Sequence, residues 1–184
     1  MGSCRACFAL VAFFLVASRT VSGYHLDGQN TLVSFSISRF GLHWLTARFR
    51  DLSGEFVLDT DGRGGSLSVD VRMDSIDCRD ASWNDHLRSP EWLDTRQFPR
   101  MTYKSTRIEM GRAGHARVVG DLTLHGVSRP VVLNISDIDC DASGSAEERT
   151  CRFSGRAQLR RSEFGIPHGF WQGGDTVEIF LRGN

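Results

Sequence analysis

The sequence predicts an all-β domain whose strands can close into an eight-stranded antiparallel barrel. Apolar and polar residues alternate in eight separate segments, which is typical of strands with one face toward a core. Turn-forming residues separate most of these segments, which favours hairpins between antiparallel neighbours. The alternation stops only in the interval 79–98. An all-β chain must either close its sheet or pack two sheets together, and eight strands are enough to close a barrel.

The first element of the chain has the composition of a secretory signal peptide. Arg5 precedes an unbroken apolar run from Ala6 to Ala17, and the small residues Val21 and Gly23 are spaced as at a cleavage site. A permanent membrane helix would need about 20 apolar residues, so we expect cleavage before Tyr24 rather than an anchor. The sequence therefore predicts a signal peptide over residues 1–23, a domain over 24–184, and a periplasmic or secreted location.

The eight strands follow in order along the remaining chain. Each has a set of apolar or small residues on one face and polar residues between them. These faces comprise Val33 to Ile37, Gly54 to Leu58, Leu67 to Met73, Met101 to Tyr103, Val118 to Leu124, Val131 to Ile135, Phe153 to Leu159 and Val177 to Leu181.

The interval 79–98 is predicted to form one or two short helices that lie over the sheet. Ser82 is a candidate helix cap, and Pro90 stands where a second helical turn can begin. Trp83, Leu87 and Trp92 are among the apolar residues that recur through this interval, so one side of it can face the sheet.

The cysteines fit an exported protein. Cys140 and Cys151 flank a polar stretch that connects two predicted strands, and disulfides persist in oxidising compartments. We therefore expect a disulfide between them. Cys78 is left over, and it is either buried and inert or a link between two chains of a homodimer.

No catalytic or metal-binding pattern stands out. The six His are scattered, and the sequence contains no CxxC, GxSxG or GxGxxG motif. The 22 basic and 22 acidic residues argue against an electrostatic nucleic-acid binder. We expect no metal, no cofactor and no nucleic-acid partner. Asp85 and His86 are the best acid–base pair available, and packing is the simpler role for them.

The predicted inward face is apolar and is the candidate binding region. Alternation alone leaves a solid core and a hollow barrel around a hydrophobic ligand equally open, although Gly54, Gly120, Gly155 and Ala157 hint at space inside. The large inward candidates are Phe35, Ile37, Phe56, Leu58, Val69, Met73, Tyr103, Leu122, Leu133, Phe153, Leu159 and Ile179.

Five strings, in order, resemble the YceI-like family of exported lipid-binding proteins. They are YHLDGQNTLVSFSISRFG from Tyr24, SIDCRD from Ser75, NDHLRSPEWLDTRQFP from Asn84, GDLTLHGVSRPVVL from Gly120 and RSEFGIP from Arg161. The resemblance implies a lipocalin-like barrel with an internal tunnel for an isoprenoid chain or a similar amphiphile. The only non-protein component expected is such a bound lipid.

Selectivity in such a barrel would come from a few polar groups at its mouth. The candidates for contact with a polar head group are Arg39, Asp77, Arg79, Asp85, His86, Arg161 and His168.

Two alternatives to a lipid carrier remain open at this point. One is an enzyme that acts on such a lipid through Asp85 and His86. The other is a solid-core interaction module that presents one or more of Trp44, Trp83, Trp92 and Trp171 to a protein partner.

Overall fold

The computed structural model describes residues 22–39, 42–59, 64–141, 150–167 and 174–183. The predicted signal peptide lies outside the described residues except for its last two positions. The described residues form one antiparallel sheet that curls into a barrel, and the all-β prediction is confirmed. Its eleven strands are β1 Ser22–Asp27, β2 Thr31–Arg39, β3 Leu42–Phe49, β4 Leu52–Leu58, β5 Gly65–Arg72, β6 Ile76–Asp77, β7 Arg100–Met110, β8 Ala116–Leu124, β9 Val127–Asp141, β10 Thr150–Arg160 and β11 Thr176–Gly183.

The predicted count of eight strands was wrong because β1, β3 and β6 were missed. β6 has two residues, too few to show a period. β1 and β3 do alternate: Tyr24 and Leu26 are buried around exposed His25, and Ala47 and Phe49 are buried around half-buried Arg48. The strand signal was therefore present in both segments.

The strand order is β1-β4-β5-β7-β8-β9-β10-β11-β2-β3-β6. β3 continues into β4 after only Arg50 and Asp51, although these strands lie near opposite ends of the order. Backbone hydrogen bonds from Arg50 to Ser75 (3.3 Å) and from Arg72 to Asp51 (3.0 Å) hold this junction. The chain itself thus brings the two ends of the curled sheet together.

The hairpin between β8 and β9 shows how local sequence sets the turns. His125 and Gly126 connect the strands with φ values of 52° and 75°. Two consecutive left-handed residues match the twist of antiparallel strands, and Gly adopts this conformation without strain. The register Leu124↔Val127 then follows directly from the turn.

The interval 79–98 contains one helix, α1 Ala81–Arg88, followed by turns. Ser82 is not its cap. Asp80 has an extended backbone, and its Oδ1 accepts a hydrogen bond from the Trp83 amide at 3.1 Å. No second helix begins at Pro90. Short 3-10 turns lie elsewhere, at Met73–Ser75 and Arg161–Phe164.

The predicted disulfide is confirmed. Cys140 and Cys151 stand directly opposite each other on β9 and β10 and are bonded. They are 11 residues apart, and closing a loop of this length stabilises the fold by about 2–3 kcal/mol in the chain-entropy model. Cys78 is free and half-buried. In the part of the chain that the structure describes, no helix has the length and apolarity to cross a membrane.

Candidate functional site: the barrel interior

Three apolar cavities follow one another inside the barrel. The first, of about 50 Å³, lies against α1 and the turns after it, a region called here the α1 end. The second, also about 50 Å³, lies in the middle of the barrel. The third, about 10 Å³, lies toward the β9–β10 hairpin that carries the disulfide, called here the hairpin end. The interior is therefore mostly filled in this structure.

The cavities follow successive inward positions of the same strands. On β10, Leu159 lines the first cavity, Ala157 the second and Phe153 the third. Val33 and Ile179 border both the first and the second cavity. Because alternate residues of a strand share a face, this order places the cavities in a row along the barrel.

The inward glycines do not leave space, contrary to the hint taken from the sequence. A Cβ on Gly120 would lie 2.7 Å from Cζ of Tyr103, and one on Gly155 would lie 2.9 Å from Cδ1 of Ile135. Side chains of neighbouring strands occupy the volume in front of both positions, and at Gly120 the Lys104 carbonyl oxygen would also lie 2.5 Å from the added Cβ.

Tyr103 fills the core rather than pointing its hydroxyl at a cavity mouth. The buried hydroxyl lies 3.1 Å from the Val118 carbonyl and 3.2 Å from the Val131 carbonyl, to which it donates. Burial, with a smaller contribution from Asp121, raises the pKa of Tyr103 to about 12. The side chain therefore stays neutral and holds β7 against β8 and β9.

Three side chains from the interval 79–98 cover the first cavity. They are Leu87 on α1 and Trp92 and Leu93 in the turns that follow. The indole Nε1 of Trp92 donates to Nε2 of His86 at 2.9 Å. His86 therefore acts here as an acceptor that fixes the covering Trp92.

Arg161 is the charged side chain that the structure places at the first cavity. It is 2% exposed, and its guanidinium carbon lies 5.0 Å from the ring centre of Trp92, within cation–π range. Burial lowers the pKa of Arg161, and the charge of Asp175 opposes this shift. A largely apolar chamber with one buried guanidinium suits an amphiphile whose polar end accepts hydrogen bonds.

Asp77 lies at the outer edge of the sheet, beside an open cleft of about 400 Å³, rather than at an interior cavity. Its Oδ2 accepts from Arg50 Nη2 at 2.6 Å and from Arg48 Nε at 3.3 Å. Hydrogen bonds from the Arg79 amide and then from Arg50 hold the pKa of Asp77 well below its usual range. This carboxylate links β3 to β6 beside α1, which is a structural role.

Most of the predicted interior residues line a cavity. Leu58 lines none of the three and is half-buried at the end of β4. The first cavity takes Phe35, Ile37, Met73, Leu159 and Ile179; the second takes Val69, Tyr103, Leu122, Leu133 and again Ile179; the third takes Phe56 and Phe153. That these residues bind a ligand stays a prediction.

The predicted head-group residues do not meet at one interior cavity, although the Arg79 amide donates to Asp77 Oδ1 at 3.0 Å. Arg79, Asp85 and His86 are exposed, and Asp77 is engaged at the sheet edge. The side chain of Arg39 and the whole of His168 lie outside the described residues. Arg161 alone among the described candidates lines one of the three interior cavities, whereas Asp77 and Arg79 line an open cleft of about 400 Å³ beside β2 and β3.

Several residues that line the cavities were not among the predicted interior residues. Phe49 was missed with its strand, and Met101 was assigned to a strand but not to the interior. Leu87, Trp92 and Leu93 were detectable from their spacing in the interval 79–98, but nothing local showed that they cover a cavity.

The residues that suggested an enzyme or a protein-interaction module have separate surroundings in the structure. Asp85 pairs with Arg88 at 3.3 Å, while His86 accepts from Trp92, so each has its own partner. Trp92 is buried and Trp83 is 36% exposed. The side chain of Trp44 and all of Trp171 lie outside the described residues. Among the described residues, no group of three or more His, Cys, Asp or Glu is arranged to hold a metal ion.

Sequence comparisons place relatives along nearly the whole chain. The family model of the YceI-like domain matches residues 24–183. A UPF0312 protein of Ectopseudomonas mendocina is 32% identical over 161 residues, which cover 86% of this chain and 84% of the relative. A UPF0312 protein of Yersinia enterocolitica is 29% identical over 171 residues, with 91% and 88% covered.

Solved structures share the fold. BcnA of Burkholderia cenocepacia superposes with a TM-score of 0.74 at 23% identity, covering 85% of this chain and 97% of that one. A polyisoprenoid binding domain from Saccharophagus degradans, implicated in plant cell wall breakdown, gives a TM-score of 0.58 at 16% identity, with 89% and 97% covered.

Proposed function

The chain belongs to the YceI-like family, and from this premise we propose that it binds an isoprenoid or similar long-chain amphiphilic lipid inside its barrel. The observation that carries the proposal is the row of three apolar cavities along the barrel axis. The Saccharophagus domain of the same fold is a polyisoprenoid binding domain, which supports the same ligand class here.

Burial of the lipid tail supplies the driving force. Removing apolar surface from water contributes roughly 25 cal/mol per Å², so several hundred Å² of tail give several kcal/mol before ordering costs. Contact with apolar walls is not directional, so the interior can accept tails of different chemical structure. The polar end is proposed to meet Arg161, which stands at the α1 end of the row.

Binding requires the cavities to enlarge and merge. Each of the two larger ones has about 50 Å³, whereas a cavity that holds benzene has about 150 Å³. Met101 borders both, and Met73 lines the first. Because methionine is unbranched and has several rotatable bonds, these side chains are the ones expected to move when a tail enters.

The proposed role is that of an exported carrier or sequestering protein without turnover. The confirmed disulfide between Cys140 and Cys151 supports an oxidising compartment, periplasmic or extracellular. A homodimer and the role of Cys78 stay predictions, and a non-reducing gel tests the covalent form.

The experiment fills the second cavity. Ala157 lines it and is 8% exposed, so Ala157→Leu adds three carbon atoms to a space of about 50 Å³. We expect native mass spectrometry to show wild-type protein carrying a long-chain lipid from its own host, or taking up a polyprenyl alcohol, and the variant taking up little. Overpacking costs about 1–3 kcal/mol, so thermal unfolding checks that the variant stays folded.

Gln158→Leu is the matched control. Gln158 is the next residue of β10 and is exposed, so the same side chain is added outside the barrel. Its lipid uptake should equal that of the wild type. A folded Ala157→Leu variant that binds lipid normally, or a wild-type protein that takes up no lipid, would contradict the proposal.

A further inference from the structure

The outer face of the barrel carries arginines and apolar side chains side by side. On β10, β11, β2 and β3, the outward positions alternate with the buried residues of the interior. Five of these outward residues form what we call the outer basic patch: Leu32, Arg48, Arg156, Phe180 and Arg182.

Strand register places these residues next to one another. Arg156 pairs with Phe180, Phe180 with Ser34, and Ser34 with Arg48, so the four form one row across the sheet. Leu32 pairs with Arg182 and is the diagonal neighbour of Phe180. With strands about 4.8 Å apart, the row spans roughly 14 Å.

The contacts within the patch fit an interfacial surface. The Arg156 guanidinium carbon lies 5.7 Å from the ring centre of Phe180. Leu32 is 40% exposed, and an open cleft of about 520 Å³ lies between Leu32, Arg48 and Arg182. Ser34 and Phe180 are both half-buried, so Leu32 is the more exposed of the two apolar side chains.

The outer basic patch carries three arginines, whereas the chain as a whole has no net charge. The whole chain has 22 basic and 22 acidic residues. Among the described residues, the acidic neighbours of the patch are Asp77, ion-paired with Arg48, and Glu178 on β11. No described carboxylate lies within ion-pairing distance of Arg156 or Arg182.

We propose that the outer basic patch docks the protein on the surface of an anionic phospholipid membrane. Arginines attract the anionic head groups, while Phe180 and Leu32 enter the boundary between head groups and acyl chains. Basic side chains beside apolar ones are the combination by which peripheral proteins bind anionic membranes, through charge attraction and burial of apolar area together. The inference stands apart from the barrel interior, so vesicle binding and lipid uptake can fail independently.

The test is co-sedimentation of the full chain with vesicles of phosphatidylglycerol and phosphatidylcholine. The wild type should bind them, should bind phosphatidylcholine vesicles much less, and should be released by salt. Each basic side chain near such a surface contributes about fivefold in affinity, so Arg156→Gln with Arg182→Gln should weaken binding about twenty-fivefold. Arg48 is left in place because its pair with Asp77 holds the sheet edge.

The control is Arg100→Gln with Arg112→Gln. Both residues are exposed, one at the start of β7 and one in the β7–β8 turn, and the change in net charge is the same. The apolar residues 6–17 can themselves bind vesicles, but they are the same in the wild type and in all variants. A difference in vesicle binding between these proteins is therefore due to the substituted arginines. Absent vesicle binding, equal binding to neutral vesicles, or equal losses in both double variants would overturn the proposal and assign this face to another partner.

Discussion

The two ends of the barrel are closed in different ways. At the α1 end, Leu87, Trp92 and Leu93 cover the first cavity from a helix and turns outside the sheet. At the hairpin end, Phe56 and Phe153 stand on the strands themselves, with ring centres 6.0 Å apart. Side chains on a covering segment can move without breaking the strand ladder, so we expect ligand to enter at the α1 end.

The ends also differ in polarity. The first cavity has Arg161 in its wall, whereas the residues around the third are apolar: Phe56, Leu67, Ile108, Ala116, Val118, Ile135, Ile138 and Phe153. An amphiphile inside the barrel would therefore lie with its polar end toward α1. The difference between the two ends predicts that stability and ligand recognition are concentrated at opposite ends of one core.

The largest effect should come from the hairpin end. Phe153 is 3% exposed, and Phe153→Ala should lower the free energy of unfolding by about 3–5 kcal/mol, since a large buried ring is removed. Chemical denaturation measures the loss. If stability is concentrated there, hydrogen exchange should show the β10 amides around Phe153 of the wild type exchanging more slowly than those of α1. Equal exchange rates would contradict the expectation that the hairpin end is the more stable end of the barrel.

The second effect should come from the α1 end and appear in binding. Arg161→Gln removes the buried charge, and a hydrogen bond to a charged group is worth roughly ten- to a hundredfold in affinity. We expect a polyprenyl phosphate to bind that much more weakly, with a smaller loss of unfolding free energy than for Phe153→Ala. Arg160→Gln is the control, since Arg160 is the exposed residue before it. Unchanged affinity in the folded Arg161→Gln variant would show that the polar end of the lipid does not bind at Arg161.

The smallest effect should come from the middle of the barrel. Tyr103→Phe removes one buried hydrogen bond and should cost about 1 kcal/mol at pH 7. The raised pKa of about 12 means that the neutral hydroxyl contributes fully below about pH 10, the ordinary tyrosine value. The contribution is then lost as the pH rises toward 12. Unfolding measured from pH 7 to pH 11 should therefore show the difference between wild type and variant shrinking above pH 10.

Local pattern was sufficient for much of the fold. Alternation over Phe153 to Leu159 identified β10 and its inward face, and the polar stretch between Cys140 and Cys151 identified a bonded hairpin. β3 was not predicted, although its apolar residues Ala47 and Phe49 alternate with Arg48 as they do in the predicted strands. The Asp80 cap was missed because Ser82 is an equally good cap by type, and only the backbone conformation separates them.

The sequence by itself determined which face of each strand is apolar, because a period of two is a property of neighbouring residues. It did not determine how much space those faces enclose. That depends on how side chains from distant strands meet, as where the Tyr103 ring fills the volume in front of Gly120. Only the tertiary structure brought Arg161 and Trp92 together over one cavity, and aligned Arg156, Phe180 and Arg48 across the outside of the sheet, because strand register joins positions that are far apart in the chain.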